Sequence, residues 1–137
     1  MRYAGRILKS GKYWAIEVPI LDVLTQGRTR DEAYEMIADA IETLVNKDAF
    51  CVDVFPGQGD YFEIGSKDQA ALSALLLRRQ RIKHGLTLKD VSKRLGARSH
   101  NTYARYEQGK SIPTINMFNR LLSAVSPDKD FVLVESH

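Results

Sequence analysis

Only one cysteine, Cys51, stands among the 137 residues. One thiol closes no internal disulfide and builds no cysteine-based zinc site. It opens an apolar stretch with no cationic neighbour to activate it, so an inert thiol is expected. No run of eighteen apolar residues exists, which excludes a membrane-spanning helix. The opening Met1-Arg2-Tyr3-Ala4-Gly5-Arg6 lacks the apolar core of a secretory signal, and cytoplasmic residence is the expectation. No nucleophile elbow, P-loop or HExxH pattern is present. His84 and His137 have no metal-ligand companion nearby in sequence. There is no internal repeat and no low-complexity segment.

What is present describes a folded chain. Apolar residues make up 44% and charged residues 27%, a globular balance. The net charge of +3 conceals a division. Residues 1–65 hold seven Lys/Arg against eleven Asp/Glu, a net of −4. Residues 66–137 hold thirteen Lys/Arg against six Asp/Glu, a net of +7. An acidic half joined to a basic half points to two partners of opposite sign. A surface as basic as the second half attracts phosphate backbones.

The acidic half reads as β-β-β-α-β-β. Tyr3 to Leu8 and Tyr13 to Val18 alternate as strands around the polar link Lys9-Ser10-Gly11-Lys12, a hairpin pattern. Trp14, Ile16 and Val18 form the face expected to be buried, and Pro19 closes the strand. Leu21 to Gln26 gives a short third strand. Thr29-Arg30-Asp31-Glu32 fits a capping box, and Tyr34, Ile37, Ala38, Ile41, Leu44 and Val45 share one helical face. Asp31, Glu35, Asp39 and Glu42 line the other side. Cys51 to Phe55 and Tyr61 to Ile64 complete a small sheet covered by one helix.

The basic half reads as consecutive helices from a boundary near Gly65. Ser66-Lys67-Asp68-Gln69 suggests a second capping box, opening a helix from about Lys67 to His84 that stops at Gly85. Thr87-Leu88-Lys89-Asp90 caps the next, which ends at Gly96. Ser99 caps a third, through about Gln108, and Pro113-Thr114 opens a fourth, from Ile115 to about Val125. The tail Phe131-Val132-Leu133-Val134 reads as a short strand that needs a partner. The expected architecture is α+β, a small sheet with one helix (residues 1–65), followed by an all-α domain (residues 66–137).

Two short helices around a glycine turn are a helix-turn-helix arrangement. Such a unit needs short polar or basic side chains at the start of its second helix, cations beside it, and an apolar seam. Arg98, His100, Asn101 and Arg105 fit the first need. Arg78, Arg79, Arg81, Lys83, Lys89, Lys93, Arg94 and Lys110 fit the second. Leu75, Ile82, Val91, Leu95, Tyr103 and Tyr106 fit the third. A charge run by itself is most often a solvated helix face, and the adjacent pattern is what gives this one meaning.

Gly85-Leu86-Thr87-Leu88-Lys89-Asp90-Val91-Ser92-Lys93-Arg94-Leu95-Gly96, followed by Tyr103-Ala104-Arg105-Tyr106-Glu107-Gln108-Gly109-Lys110 and Pro113, resembles the DNA-binding domain of phage-repressor (Xre or Cro) type. The resemblance covers roughly residues 70–125. It implies base contacts from His100, Asn101 and Arg105, with Asn suited to adenine and Arg to guanine. Ser99 would sit near a phosphate. Arg98, Arg81, Thr87, Lys89 and Lys110 complete the expected contact set. The resemblance also implies that Arg81 pairs with Glu107, which makes Glu107 structural rather than catalytic.

Gly11-Lys12-Tyr13-Trp14-Ala15-Ile16-Glu17-Val18-Pro19, then Leu24-Thr25-Gln26-Gly27-Arg28-Thr29-Arg30-Asp31-Glu32-Ala33, resembles the N-terminal half of HicB-type antitoxins. The order of an antitoxin-like half and a repressor-like half is also that family's. The resemblance implies a partial RNase H-like fold without catalysis and without a cofactor. It implies a HicA-like mRNA-cleaving toxin as protein partner, and repression of the shared operon through double-stranded operator DNA. A homodimer or higher oligomer is expected, because one helix-turn-helix reads a half-site.

The charge arithmetic gives independent support, since a toxin that grips RNA is basic and an acidic stripe competes for it. Asp31, Glu35, Asp39 and Glu42 are the toxin-facing candidates, against the alternative of an ordinary solvated face. Two other classes remain open on sequence. One is a stand-alone helix-turn-helix regulator with a ligand-sensing first half. The other is a metal nuclease using Glu17, Asp22, Asp53, Asp60 and Glu63, though nothing in their spacing makes them converge.

Overall fold

A computed structural model describes residues 1–136, with His100 described through its backbone alone. His137 lies outside the described residues. The chain divides into two compact units, residues 1–72 with Ser136, and residues 73–135. The last strand of the first unit ends at Gly65, and that unit continues to Leu72.

The first unit is built on a five-stranded antiparallel sheet of order β3-β2-β1-β5-β4. Its strands are β1 (Tyr3–Ser10), β2 (Tyr13–Val18), β3 (Val23–Gly27), β4 (Asp53–Pro56) and β5 (Tyr61–Gly65). β1 and β2 form the expected hairpin, with Ile7 opposite Ile16 and Ser10 opposite Tyr13. Alternation fixes the faces, as a period of two requires. Tyr3 and Ile7 from β1, Ile16 and Val18 from β2, and Phe62 and Ile64 from β5 are buried. Trp14, expected among them, is only half-buried. The Lys9 ammonium and the Arg30 guanidinium flank its ring, at 5.2 and 5.3 Å from the centroid.

Pro19–Leu21 forms a 3-10 turn rather than the start of the third strand. Asp22 closes it in the left-handed region at φ 53, so Leu21 is fully buried and β3 begins at Val23. Helix α1 (Arg30–Val45) starts where Thr29 Oγ1 accepts the Glu32 N–H at 3.0 Å. It buries Ala33, Ile37 and Ile41 against the sheet, and Tyr34 meets Phe62 edge to face. Gly27 permits this contact, because a Cβ there would lie 2.4 Å from the Ala33 backbone nitrogen.

Helix α2 (Gln69–Lys83) begins two residues later than the capping-box pattern predicts. Asp68 is the residue that caps it, its Oδ1 accepting the Ala71 N–H at 3.0 Å. Ser66 Oγ instead accepts the Asp68 N–H at 3.1 Å. An aspartate at the later position wins because its second oxygen also meets the Lys47 ammonium at 2.6 Å.

The second unit holds most of α2 together with α3 (Leu88–Arg94), α4 (His100–Glu107) and α5 (Ile115–Val125). Its core is Leu77, Val91, Tyr103, Leu121, Ala124 and Val125, with Leu86, Leu88, Leu95, Tyr106, Met117, Phe118 and Leu122 packed around it. Of the predicted seam, Ile82 is a correction. It is half exposed, since it falls on the outer side of α2 in its last turn. Residues 131–134, read from sequence as a strand that needs a partner, pair with no strand in the single chain, and Val132, Leu133 and Val134 are exposed.

Candidate nucleic-acid interface

The interface is set up by three side-chain caps in sequence. Thr87 and Asp90 close a full capping box on α3, with Thr87 N–H donating to Asp90 Oδ2 at 2.8 Å and Asp90 N–H to Thr87 Oγ1 at 3.0 Å. Those bonds hold the Asp90 carboxyl below the usual aspartate range, with Thr87 as the main cause. Gly96, at φ 70, supplies the left-handed residue that turns the chain out of α3. Ser99 Oγ then accepts the Asn101 N–H at 3.2 Å and starts α4. Thr114 caps α5 through the Met117 N–H at 3.1 Å.

Helix α4 has a buried side and an open side. Tyr103 is fully buried and Ala104 nearly so. Burial, with the Glu107 carboxylate beside it, pushes the Tyr103 phenol far above the usual tyrosine range, so it stays neutral. Asn101, Thr102 and Arg105 are exposed on the other side. Asn101 and Arg105, four residues apart, are neighbours on that surface. Arg105 Nε donates to Ser111 Oγ at 3.3 Å, which ties the helix to the loop that follows.

Beneath α4 lies a charged clamp. Arg81 Nε donates to both oxygens of Glu107, at 3.2 and 2.9 Å, and Nη2 donates to Oε1 at 2.7 Å. Arg81 Nη1 donates to the Leu86 carbonyl at 2.9 Å. The side chains are 16% and 7% exposed, so the pair is largely shielded from solvent. The clamp thus joins α2, the turn after it and the end of α4. Glu107 raises the Arg81 guanidinium above its ordinary value. Arg81 is a correction to the contact set. Its nitrogens are spent inside the unit, so it acts as scaffold and not as a phosphate ligand.

The remaining contact residues sort plainly. Arg98, Ser99 and Asn101 are exposed at or near the start of α4, and Arg105 in its last turn. Thr87 and Lys89 are exposed at the start of α3, and Lys110 just past α4. Of the base-reading candidates, the His100 side chain lies outside the described residues. Lys83, Lys93 and Arg94 are exposed, while Arg78 and Arg79 are half-buried. Arg94 Nη1 donates to the Ala124 carbonyl at 3.4 Å, an internal role beside its charge. Thr102 was missed on sequence, although a helical wheel places it beside Arg105 on the side away from Tyr103 and Ala104, which was a usable signal.

The acidic side chains behave differently from one another. Asp31, Glu35 and Asp39 are exposed along α1. Glu42 is half-buried, and its Oε2 accepts the Val52 N–H at 2.8 Å. It therefore anchors the connection after α1 and leaves the open stripe with three members. Among the described residues, no group of three His, Cys, Asp or Glu side chains is placed to hold a metal. Glu63 is buried, where it accepts the Tyr61 hydroxyl at 2.5 Å, the Arg2 guanidinium at 3.2 Å and the Ser136 hydroxyl. Tyr61 is raised above the usual tyrosine range by that bond. Cys51 is free and exposed. Among the described residues, no helix is long and apolar enough to cross a membrane.

A capped helix, a glycine turn, and a second helix with a polar open face over a locked apolar core define a helix-turn-helix DNA-binding unit, the apparatus of a transcriptional regulator. Residues 77–125 match the family model described as helix-turn-helix. That span runs from the second half of α2 through α5 and includes both partners of the clamp. No curated protein matches the chain.

Proposed function

We propose that the chain is the antitoxin of a HicA/HicB-like toxin–antitoxin pair, and that its helix-turn-helix unit represses the operon encoding both proteins. The carrying observation is that one chain joins a helix-turn-helix unit to a sheet unit whose helix α1 exposes Asp31, Glu35 and Asp39. A carboxylate row of this kind suits a small basic protein that grips RNA. The order of the two halves, the Thr25-Gln26-Gly27 segment and the capped helix after it support the HicB-like reading. In this reading the first unit covers the toxin's RNA-binding surface, and Asn101 and Arg105 read the operator in a dimer or higher oligomer.

The test is co-expression of the full chain with the basic protein encoded beside it. Co-purification of the two, and relief of the growth arrest caused by the toxin alone, are the expected results. Changing Asp31, Glu35 and Asp39 together to lysine should weaken both while operator binding persists. An adjacent basic protein that neither binds nor is neutralised overturns the antitoxin reading and leaves the regulator.

A further inference from the structure

Trp14, the only tryptophan, shares a strand face with the buried Ile16 and Val18 yet is itself half-buried. Its cross-strand neighbours are Lys9 on β1 and Gly27 on β3. Gly27 lies against the Glu32 and Ala33 backbone, so the indole stands level with the first turn of α1, at the rim of the helix-covered face.

Cations gather at this rim. Lys9, Lys12, Arg28 and Arg30 are four of the seven Lys/Arg in residues 1–65. Lys9 faces Trp14 across the hairpin, Lys12 lies in the hairpin turn, and Arg28 and Arg30 lead from Gly27 into α1. Asp31 and Glu32 follow Arg30, and Asp60 follows Gly59, whose carbonyl accepts from Arg30 Nη2. This end therefore carries four cations against three carboxylates, where the rest of residues 1–65 carries three against eight. The acidic half has a basic pole, and an aromatic ring stands in it.

The cations differ in freedom. Arg30 is held, with Nε donating to the Tyr34 hydroxyl at 3.3 Å and its guanidinium 5.3 Å from the indole centroid. Lys9 is exposed, and its ammonium stands 5.2 Å from the same centroid. An arriving base can displace that ammonium from the ring and leave it to pair with the adjoining phosphate. Lys12 and Arg28 are exposed as well. The row from β1 to the end of β3 crosses three strands, about 10 Å, which is wider than one phosphate. Cations alone suit any polyanion, whereas a ring among them adds base stacking, the combination that holds unpaired nucleic-acid strands.

We propose that Trp14, Lys9, Lys12, Arg28 and Arg30 form a binding site for single-stranded nucleic acid, a base stacking on the indole while the cations follow the phosphates. The site goes beyond the antitoxin reading and does not depend on it.

The test is tryptophan emission of the full chain during titration with oligouridylate and, separately, oligothymidylate. The single tryptophan reports this pole and not the helix-turn-helix unit. Saturable quenching by either strand supports the site, and the tighter strand tells RNA from DNA. Lys12→Glu combined with Arg28→Glu should weaken the quenching affinity at least tenfold. Lys89→Ala and Lys110→Ala, in the other unit, should leave it unchanged. Raising salt should lower the logarithm of affinity by about 0.7 per phosphate met for each unit in the logarithm of salt. Emission that neither strand changes, or quenching that the double variant leaves intact, overturns the site. Equal quenching by polyglutamate, which has no bases, also overturns it and makes the pole a docking face for an acidic polypeptide.

Discussion

Two charged residues of the second unit, Glu107 and Arg105, lie two positions apart on one helix and do opposite work. Glu107 is shielded and clamps Arg81, while Arg105 is open. Removing one partner of a shielded pair strands the other charge, so Glu107→Ala should cost about 3 kcal/mol in a urea titration. Asn101→Ala and Arg105→Ala should leave the urea midpoint nearly unchanged. Each should instead weaken operator binding by about 1–3 kcal/mol, with little change on random DNA. A stability loss for Asn101→Ala, or equal loss on every sequence, would contradict the division into scaffold and reader. Asp68 offers a pH test. The Lys47 ammonium and the Ala71 N–H hold its carboxyl below the usual aspartate range. Its contribution is therefore complete above the ordinary aspartate value and lost as pH falls below it. Asp68→Asn should flatten that part of the acid-unfolding profile, and Asp68→Ala should cost about 1 kcal/mol as a lost cap near neutral pH.

Elements were legible where their signals are local. Thr29, Thr87, Ser99 and Thr114 each cap a helix through an N–H two or three residues on, so sequence spacing alone finds them. The order of strands and helices followed from the same kind of signal, periodicity broken by polar turns. What was not legible depends on residues far apart in sequence. Ser66 and Asp68 compete for one helix start, and Lys47, twenty-one positions earlier than Asp68, decides it. Glu42 leaves the acidic stripe because Val52 N–H comes within reach once the chain returns to the sheet. The pairing of Arg81 with Glu107 was already implied by the repressor resemblance; what sequence did not show is that the Leu86 carbonyl takes another nitrogen of the same guanidinium. Gly27 belongs to the same group. Sequence marks it as the end of a strand, yet its absent side chain is what lets β3 and the first turn of α1 touch. The obstacle to a Cβ there is backbone, which yields less readily than a side-chain tip. Gly27→Ala should therefore destabilise the first unit by about 1–3 kcal/mol, read as a lower thermal midpoint. An unchanged midpoint would mean that α1 has room to lift from the strand.

Across the whole chain the charge division remains after the contact residues are sorted. Arg81 and Glu107 neutralise one another, and Glu42 turns inward, yet each unit keeps its sign. The two proposed partnerships then differ in how they respond to salt and to mutation. Duplex binding releases condensed counterions, so the logarithm of its affinity should fall with the logarithm of salt by about 0.9 per phosphate met. Lys89→Ala and Lys110→Ala should each reduce that slope by about one phosphate's worth, with no change in sequence preference. Toxin capture draws on Asp31, Glu35 and Asp39, whose attraction acts chiefly on the encounter. Reversing the three charges should slow association at least tenfold at low salt, and high salt should shrink that difference. The operator salt slope of the same triple variant should match that of the unaltered chain. A shared change in both measurements would mean that one surface serves both partners, and the assignment of one sign of charge to each would have to be abandoned.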